Sequence, residues 1–185
     1  GHAPVWGLTR NRSLDPHVQN RTVDDKRLDP QRKFVSVNPT VHLLRVDTVD
    51  DDGGTTPLSA AVTFAVHGTG VSQHTDEYHA DVWAFLTDEL GHRVLRATGT
   101  RPHVGAMEGT HADVAPALRP GQAGFLEAGR IGRGIGAAAA ELHARLADEL
   151  RDDVVLGCGL REIDLDRGRK IGHVELPNRP AVGAA

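Results

Sequence analysis

The chain has 185 residues, 39% hydrophobic and 25% charged, which is enough for one domain with a real apolar core and lies outside the composition of disordered chains. Its 21 Lys and Arg against 25 Asp and Glu leave a formal charge of -4, so it lacks the cation excess of a general polyanion binder and nucleic acid is not an expected partner. A single cysteine, Cys158, excludes an intrachain disulfide framework and a Cys-built zinc cluster, so any metal site must rest on His, carboxylate or phenol.

Residues 1–40 carry Pro4, Pro16, Pro30 and Pro39 among Asn, Asp and Arg with no sustained period. This predicts an extended, irregular arm lying on other parts of a larger protein. Residues 41–185 read as the α/β portion. Val41 to Asp47 predicts a strand, and the acidic glycine run from Asp50 to Gly54 predicts a hairpin turn. In the return strand Leu58, Ala60, Val62, Phe64 and Val66 point one way, while Ser59, Ala61, Thr63 and Ala65 point the other, so both faces are expected to be buried. That strand runs out through His67, Gly68, Thr69 and Gly70.

Asp76 is placed to cap a helix in which Ala80, Trp83, Leu86 and Leu90 recur at helical spacing and which Gly91 closes. A further strand follows, either Val94 to Ala97 or His103 to Met107. From Phe125 to Leu150, Ala128, Ile131, Ile135, Ala138, Leu142 and Leu146 define a long amphipathic helix to cover the sheet, with Gly129, Gly132 and Gly136 as a smooth flank. Leu160 to Leu165 alternates as another strand. The expected fold is α/β: a mixed, largely parallel sheet with a strand-helix-strand crossover and a long covering helix. Parallel strands would bring the loops after Val66 and after Met107 to one carboxyl edge, where open α/β sheets generally bind ligands.

No apolar run reaches the roughly 20 residues of a bilayer span, and the N-terminus lacks the apolar core of a signal peptide. A start at Gly1, a lone Met107 and an end in a Pro/Gly/Ala stretch read as a cut piece of a longer protein.

His67 sits where an apolar strand gives way to small residues, a position from which an imidazole can meet a ligand or a metal, or take a structural hydrogen bond. The run His74, Thr75, Asp76, Glu77, Tyr78, His79 offers donors, but its two His are five apart and not at the four-residue spacing of a helical zinc motif. The loop from Glu108 to Pro116, through Thr110, His111 and Asp113, has glycine freedom at its start and proline restraint at its end. Gly132, Gly134 and Gly136 lie inside a helical pattern, which rules against a dinucleotide loop. Arg12 is a permanent cation whose planar fork suits an oxyanion or carboxylate.

Together these segments resemble the neutral/alkaline, non-lysosomal ceramidases. Asn11, Arg12 and Ser13 match that family's Asn-Arg-Ser motif, and Leu43 to Asp47 is similar to its short strand before a glycine turn. Phe64 to Thr69 is similar to its strand ending in His-(Ser/Gly)-Thr-Ser-Met, and Met107 to Leu118 resembles its loop Asn-x-Gly-Asp-Val-Ser-Pro-Asn. The helix through Ile131 and Ile135 and the ending Leu176 to Ala185 fit later segments more loosely. The resemblance implies an interior segment of a long N-terminal catalytic domain that cleaves the amide of ceramide with one zinc ion.

By that resemblance His67 is a zinc ligand, and Arg12 contacts substrate or the oxygen that becomes negative during amide attack. Asp113 belongs to the motif around the nucleophile position, and the remaining metal ligands lie outside this segment. The implied partner is a lipid amide, with peripheral membrane contact through other regions and a secreted or extracytoplasmic setting.

Several positions depart from the family pattern, three of them at the pocket. Ala115 stands where the family has serine and has no hydroxyl to attack, while Gly70 and Val71 replace Ser-Met after Thr69. Metal-activated hydrolysis needs no serine, so the enzyme reading survives. The alternatives are a non-catalytic lipid-binding or structural homologue, or a related hydrolase with a different substrate.

Overall fold

A computed structural model of the chain describes residues 1–11, 37–111, 114–160, 162, 170–171 and 174–175. Arg12, Asp113 and the segment Leu176 to Ala185 lie outside the described residues.

The strands are β1 (His2–Pro4), β2 (Thr9–Asn11), β3 (Thr40–Val49), β4 (Thr55–Phe64), β5 (His103–Glu108), β6 (Val114–Pro116), β7 (Lys170–Ile171) and β8 (Val174–Glu175). The helices are α1 (Asp81–Thr98) and α2 (Phe125–Arg145), and a 3-10 turn, Leu146–Glu149, follows α2. One four-stranded sheet has the order β1-β3-β4-β5, β2 pairs with β6, and β7 pairs with β8.

The β3–β4 hairpin closes as its acidic turn requires. Gly53 takes φ 82°, and Asp50 Oδ1 accepts the N–H of Asp52 at 3.1 Å and of Gly54 at 2.6 Å. β4 continues through α1 into β5, which pairs parallel to it from Ser59 opposite His103 to Phe64 opposite Glu108. The fold is therefore mixed α/β with the expected crossover and covering helix. Among the described strands, however, only β4–β5 is parallel, because the hairpin and the N-terminal strand both pair antiparallel. The sheet is mixed but not largely parallel.

Residues 1–11 run extended along this chain's own strands. β1 borders β3, and β2 lies opposite β6, with Asn11 across from Val114 and Arg10 across from Ala115.

The core lies between the helices and one face of the sheet. Val41 and Leu43 of β3 and Ala60, Val62 and Phe64 of β4 meet Val82, Leu86, Leu90 and Val94 of α1 and Ala128, Ile131, Ile135, Ala139 and Leu142 of α2. Each fully buried Leu or Ile contributes about 2–3 kcal/mol of transfer free energy. Burial alternates along β3, leaving His42 and Leu44 exposed, and the second face of β4 is half-buried at Ser59, Ala61 and Thr63. The expectation of two buried faces is corrected because both helices pack on the same side. Leu58 is also exposed. A register shift pairs Val46 with Ser59 but Asp47 with Pro57, and this bulge turns Leu58 outward and Pro57 inward.

α1 starts and stops later than expected. It begins at Asp81, not after Asp76, and runs through Gly91 to Gly99, whose φ of 78° and N–H to the Leu95 carbonyl at 2.8 Å make the C-cap. Gly91 does not end it because the buried stripe Val82, Leu86, Leu90, Val94 continues at helical spacing across it. Val94 to Ala97 is thereby helical, and the crossover strand is the His103 alternative. α2 ends at Arg145, with the final turn to Glu149 tightened to 3-10. Leu160 is exposed and outside any strand, and most of the expected strand to Leu165 lies outside the described residues.

Gly132 and Gly136 are where the helices touch. A Cβ on Gly136 would stand 2.6 Å from the Leu86 carbonyl oxygen, and one on Gly132 would collide with the Val82 carbonyl oxygen. The glycine flank read from the sequence is the helix–helix contact. Among the described residues no helix is long and apolar enough to cross a membrane.

Candidate functional site

β4 ends at Phe64, and the chain leaves through buried Ala65 and Val66 to the half-buried His67. β5 ends at Glu108, where the Gly109 N–H donates to the Phe64 carbonyl at 2.8 Å. Parallel pairing puts both exits at one carboxyl edge, as the sequence predicts. Glycine suits position 109, where a Cβ would lie a tight 3.2 Å from the backbone carbon of Phe64.

The two loops then meet. The His67 N–H donates to the Val114 carbonyl at 3.0 Å, and the rings of His67 and His111 pack edge to face, with centroids 4.1 Å apart and planes at 85°. His111 Nδ1 stands 2.7 Å from the Gly109 carbonyl oxygen, and its Nε2 stands 3.4 Å from Glu108 Oε2. A carbonyl only accepts, so Nδ1 carries the proton in the neutral ring and Nε2 presents a lone pair.

The N-terminal arm reaches the same place. β2–β6 pairing sets Asn11 opposite Val114 and Arg10 opposite Ala115, and the Ala117 N–H donates to the Leu8 carbonyl at 2.9 Å. Arg12 follows Asn11 directly in sequence, but Arg12 and Asp113 lie outside the described residues. Ala115 is 4% exposed, in the middle of β6.

Two buried carboxylates, each in the first turn of a helix, hold these loops. Asp81 Oδ1 accepts the N–H of Gly70 at 2.9 Å and of Val82 at 2.7 Å, and its Oδ2 accepts the N–H of Val71 at 2.7 Å. Asp81 reaches them with φ 49°, a conformation in which Asp is among the better tolerated residues. Gly70 suits this seat: a Cβ there would lie 2.9 Å from Asp81 Oδ1 and 3.0 Å from Ala128 Cβ.

Glu127 does the same for the chain after β6. It accepts from Arg130 Nε at 2.9 Å and Nη2 at 2.8 Å and from the Arg119 N–H at 2.9 Å, while Arg130 Nη2 also donates to the Ala117 carbonyl at 2.8 Å. The Arg130 hydrogen bonds, with help from the Arg119 N–H, hold the Glu127 carboxyl down at about 2 against the opposing effect of burial.

Sequence reasoning missed Asp81, Glu127, Arg130 and the Glu108–His111 contact. A signal for the first two exists, an acidic residue heading each apolar helical stripe. At α1 the sequence reading gave that role to Asp76, five residues too early. His74, Asp76, Glu77, Tyr78 and His79 are all exposed on the loop before α1.

The fold and site so far define a mixed α/β unit whose β4 and β5 exit loops form one histidine-bearing edge. No protein-family model matches the chain, and no curated protein matches it. Solved structures do, and two of them are ceramidases. The neutral ceramidase from Pseudomonas aeruginosa is 22% identical with a TM-score of 0.57, and a ceramidase complexed with C2 is 22% identical with a TM-score of 0.58. Each match covers 80% of this chain and 22% of that chain, so the chain spans about a fifth of the length of these structures. The chain has the fold of a segment of neutral ceramidase.

Zinc takes imidazole nitrogen and carboxylate oxygen. His67, His111 and Glu108 are donors of that chemistry at one edge, while among the described residues no group of three His, Cys, Asp or Glu stands assembled for a metal. The donor types fit the ion, and a full set calls for donors beyond these.

Proposed function

We propose that this chain is part of a ceramidase-like, zinc-dependent amidohydrolase that cleaves the N-acyl amide of ceramide or a related lipid amide. The carrying observation is the convergence of the β4 and β5 exits, with the His67 and His111 rings 4.1 Å apart, on a fold shared with a neutral ceramidase segment. In this reading His67 holds the metal, together with donors from the rest of a longer protein. Arg12, next to the paired Asn11, contacts the oxygen on which charge develops, and Asp113 helps shape the loop around it. When bound, zinc supplies Lewis acidity. The buried backbone of β6 and the loop seats at Asp81 and Glu127 hold the substrate-facing groups in place. Ala115 occupies the family's nucleophile position without a hydroxyl, so this chain's route makes no use of a serine.

The test is metal content and turnover of a short-chain ceramide by the full-length protein. His67→Ala is expected to lose zinc and activity together, and undiminished zinc in that variant overturns the assignment. Ala115 supports a second reading, a non-catalytic lipid-binding homologue, because it places a buried methyl where a hydroxyl would act. Turnover by the unmutated protein on any amide rejects that reading, and absence of turnover with both Ala115 and Ala115→Ser supports it.

A further inference from the structure

Glu108 and His111 face each other across 3.4 Å from Oε2 to Nε2. With the His111 Nδ1 proton directed to the Gly109 carbonyl at 2.7 Å, the facing atoms of the neutral ring are both acceptors, a contact that calls for either a second proton on Nε2 or a metal ion between them. Another histidine–carboxylate pair differs. His92 Nδ1 stands 3.1 Å from both the carbonyl and the Oδ1 of Asp88 and so carries its proton toward them, and Arg101 Nη2 reaches Asp88 Oδ1 at 2.8 Å while its Nη1 stands 3.3 Å from the His92 nitrogens. No guanidinium or ammonium reaches Glu108 or His111 among the described residues.

The spacing suits a metal. Two ligands at zinc's usual nitrogen and oxygen distances, on adjacent corners of a tetrahedron, lie about 3.4 Å apart. The Glu108 side chain is 46% exposed and that of His111 23%, so further positions on an ion are open to water or other donors. The His67 ring lies against His111. The Gly109 hydrogen bond fixes the tautomer that leaves Nε2 as the donor atom, the arrangement a metal-binding imidazole usually has.

We infer that Glu108 and His111 chelate a divalent ion of the zinc class at the carboxyl edge, a metal-binding contribution of this chain additional to His67. It goes beyond the proposed hydrolase reading and stands whether or not His67 joins the set.

The experiment titrates the 185-residue chain with Co2+ alone, read by its d–d absorption, followed by displacement with Zn2+. His111→Gln and Glu108→Gln are each expected to weaken Co2+ binding at least about tenfold. His92→Gln, at the pair already served by Arg101, is expected to leave it unchanged, and far-UV circular dichroism checks that all variants remain folded. The inference is overturned if the chain takes up no Co2+, or binds it equally with both Gln variants; the pair is then a protonated ion pair. His67→Gln separates the two ideas. Loss with His67→Gln but not with the other two rejects the chelate, and loss with the two but not His67→Gln supports it, while the hydrolase ligand is tested separately by metal content of the full-length protein.

Discussion

Asp81 shows how much one side chain can organise. Its carboxylate accepts three backbone N–H groups, two from the loop that follows His67 and one from its own helix, in a buried setting where water cannot replace it. Asp81→Ala would leave those donors unpaired and cost about 3 kcal/mol, with Asp81→Asn losing less because one acceptor oxygen remains. Hydrogen exchange at the Gly70 and Val71 amides is the direct readout. Exchange there in Asp81→Ala as slow as in the unmutated chain would show that the loop is held by something else. The sequence reading placed the helix start at Asp76 and missed Asp81. Choosing between them needed the stripe that begins at Val82 to be seen in contact with α2.

At the scale of elements, the contact between α1 and α2 depends on two glycines. Gly132→Ala gains about 1 kcal/mol in helix propensity. Its new methyl meets the carbonyl oxygen of Val82, part of a backbone that no rotamer change can move aside. Overpacking of this kind costs about 1–3 kcal/mol or more, so net destabilisation of about 2 kcal/mol is expected in urea unfolding. Gly134→Ala is the contrast, because its Cβ meets only the flexible side chain of Leu8, which can turn away. It is expected to be neutral or slightly stabilising, and equal losses in the two variants would reject the backbone-contact account.

The helical period, the glycine flank and the hairpin turn were all legible, since each depends on residues close in sequence. The extent of α1 was not. Gly91 resembles a stop locally and is carried through by burial on both sides. The bulge at Leu58 was equally hidden, because a register shift in β3–β4 reverses which face a residue takes without changing the alternation in the sequence.

For the whole molecule, pH is the variable that reads burial. His143 is 2% exposed, its Nε2 has no hydrogen-bond partner among the described residues, and burial, with the nearby Arg45 cation, lowers its pKa from 6.5 to about 4. The folded state therefore binds this proton less readily than the unfolded state. Stability is full above pH 6.5 and falls on acidification until about pH 4, by at most about 3 kcal/mol. Glu127 adds a second limb of the same sign. Its pKa is lowered from 4.5 to about 2, so its contribution is present above pH 4.5 and is lost towards pH 2. Unfolding free energy measured between pH 8 and pH 2 should thus decline in two overlapping steps. His143→Leu should flatten the upper one, and an unchanged profile in that variant would assign the step to other groups.

The sequence by itself determined the central run of hairpin, helix, strand and long covering helix, the crossover from β4 through a helix to a parallel strand, the meeting of two loops at one edge, and His67 as a residue standing there. These follow from periodicity, turn chemistry and the handful of topologies a parallel pair permits. Only the tertiary structure decided that β2 lies along β6, that His111 packs on His67 with Glu108 beside it, that Asp81 and Glu127 clamp the loops, and that the helices cover a single face of the sheet. Those contacts join residues far apart in the chain through packing and hydrogen bonds, and no local pattern records which distant partner a buried polar group will find.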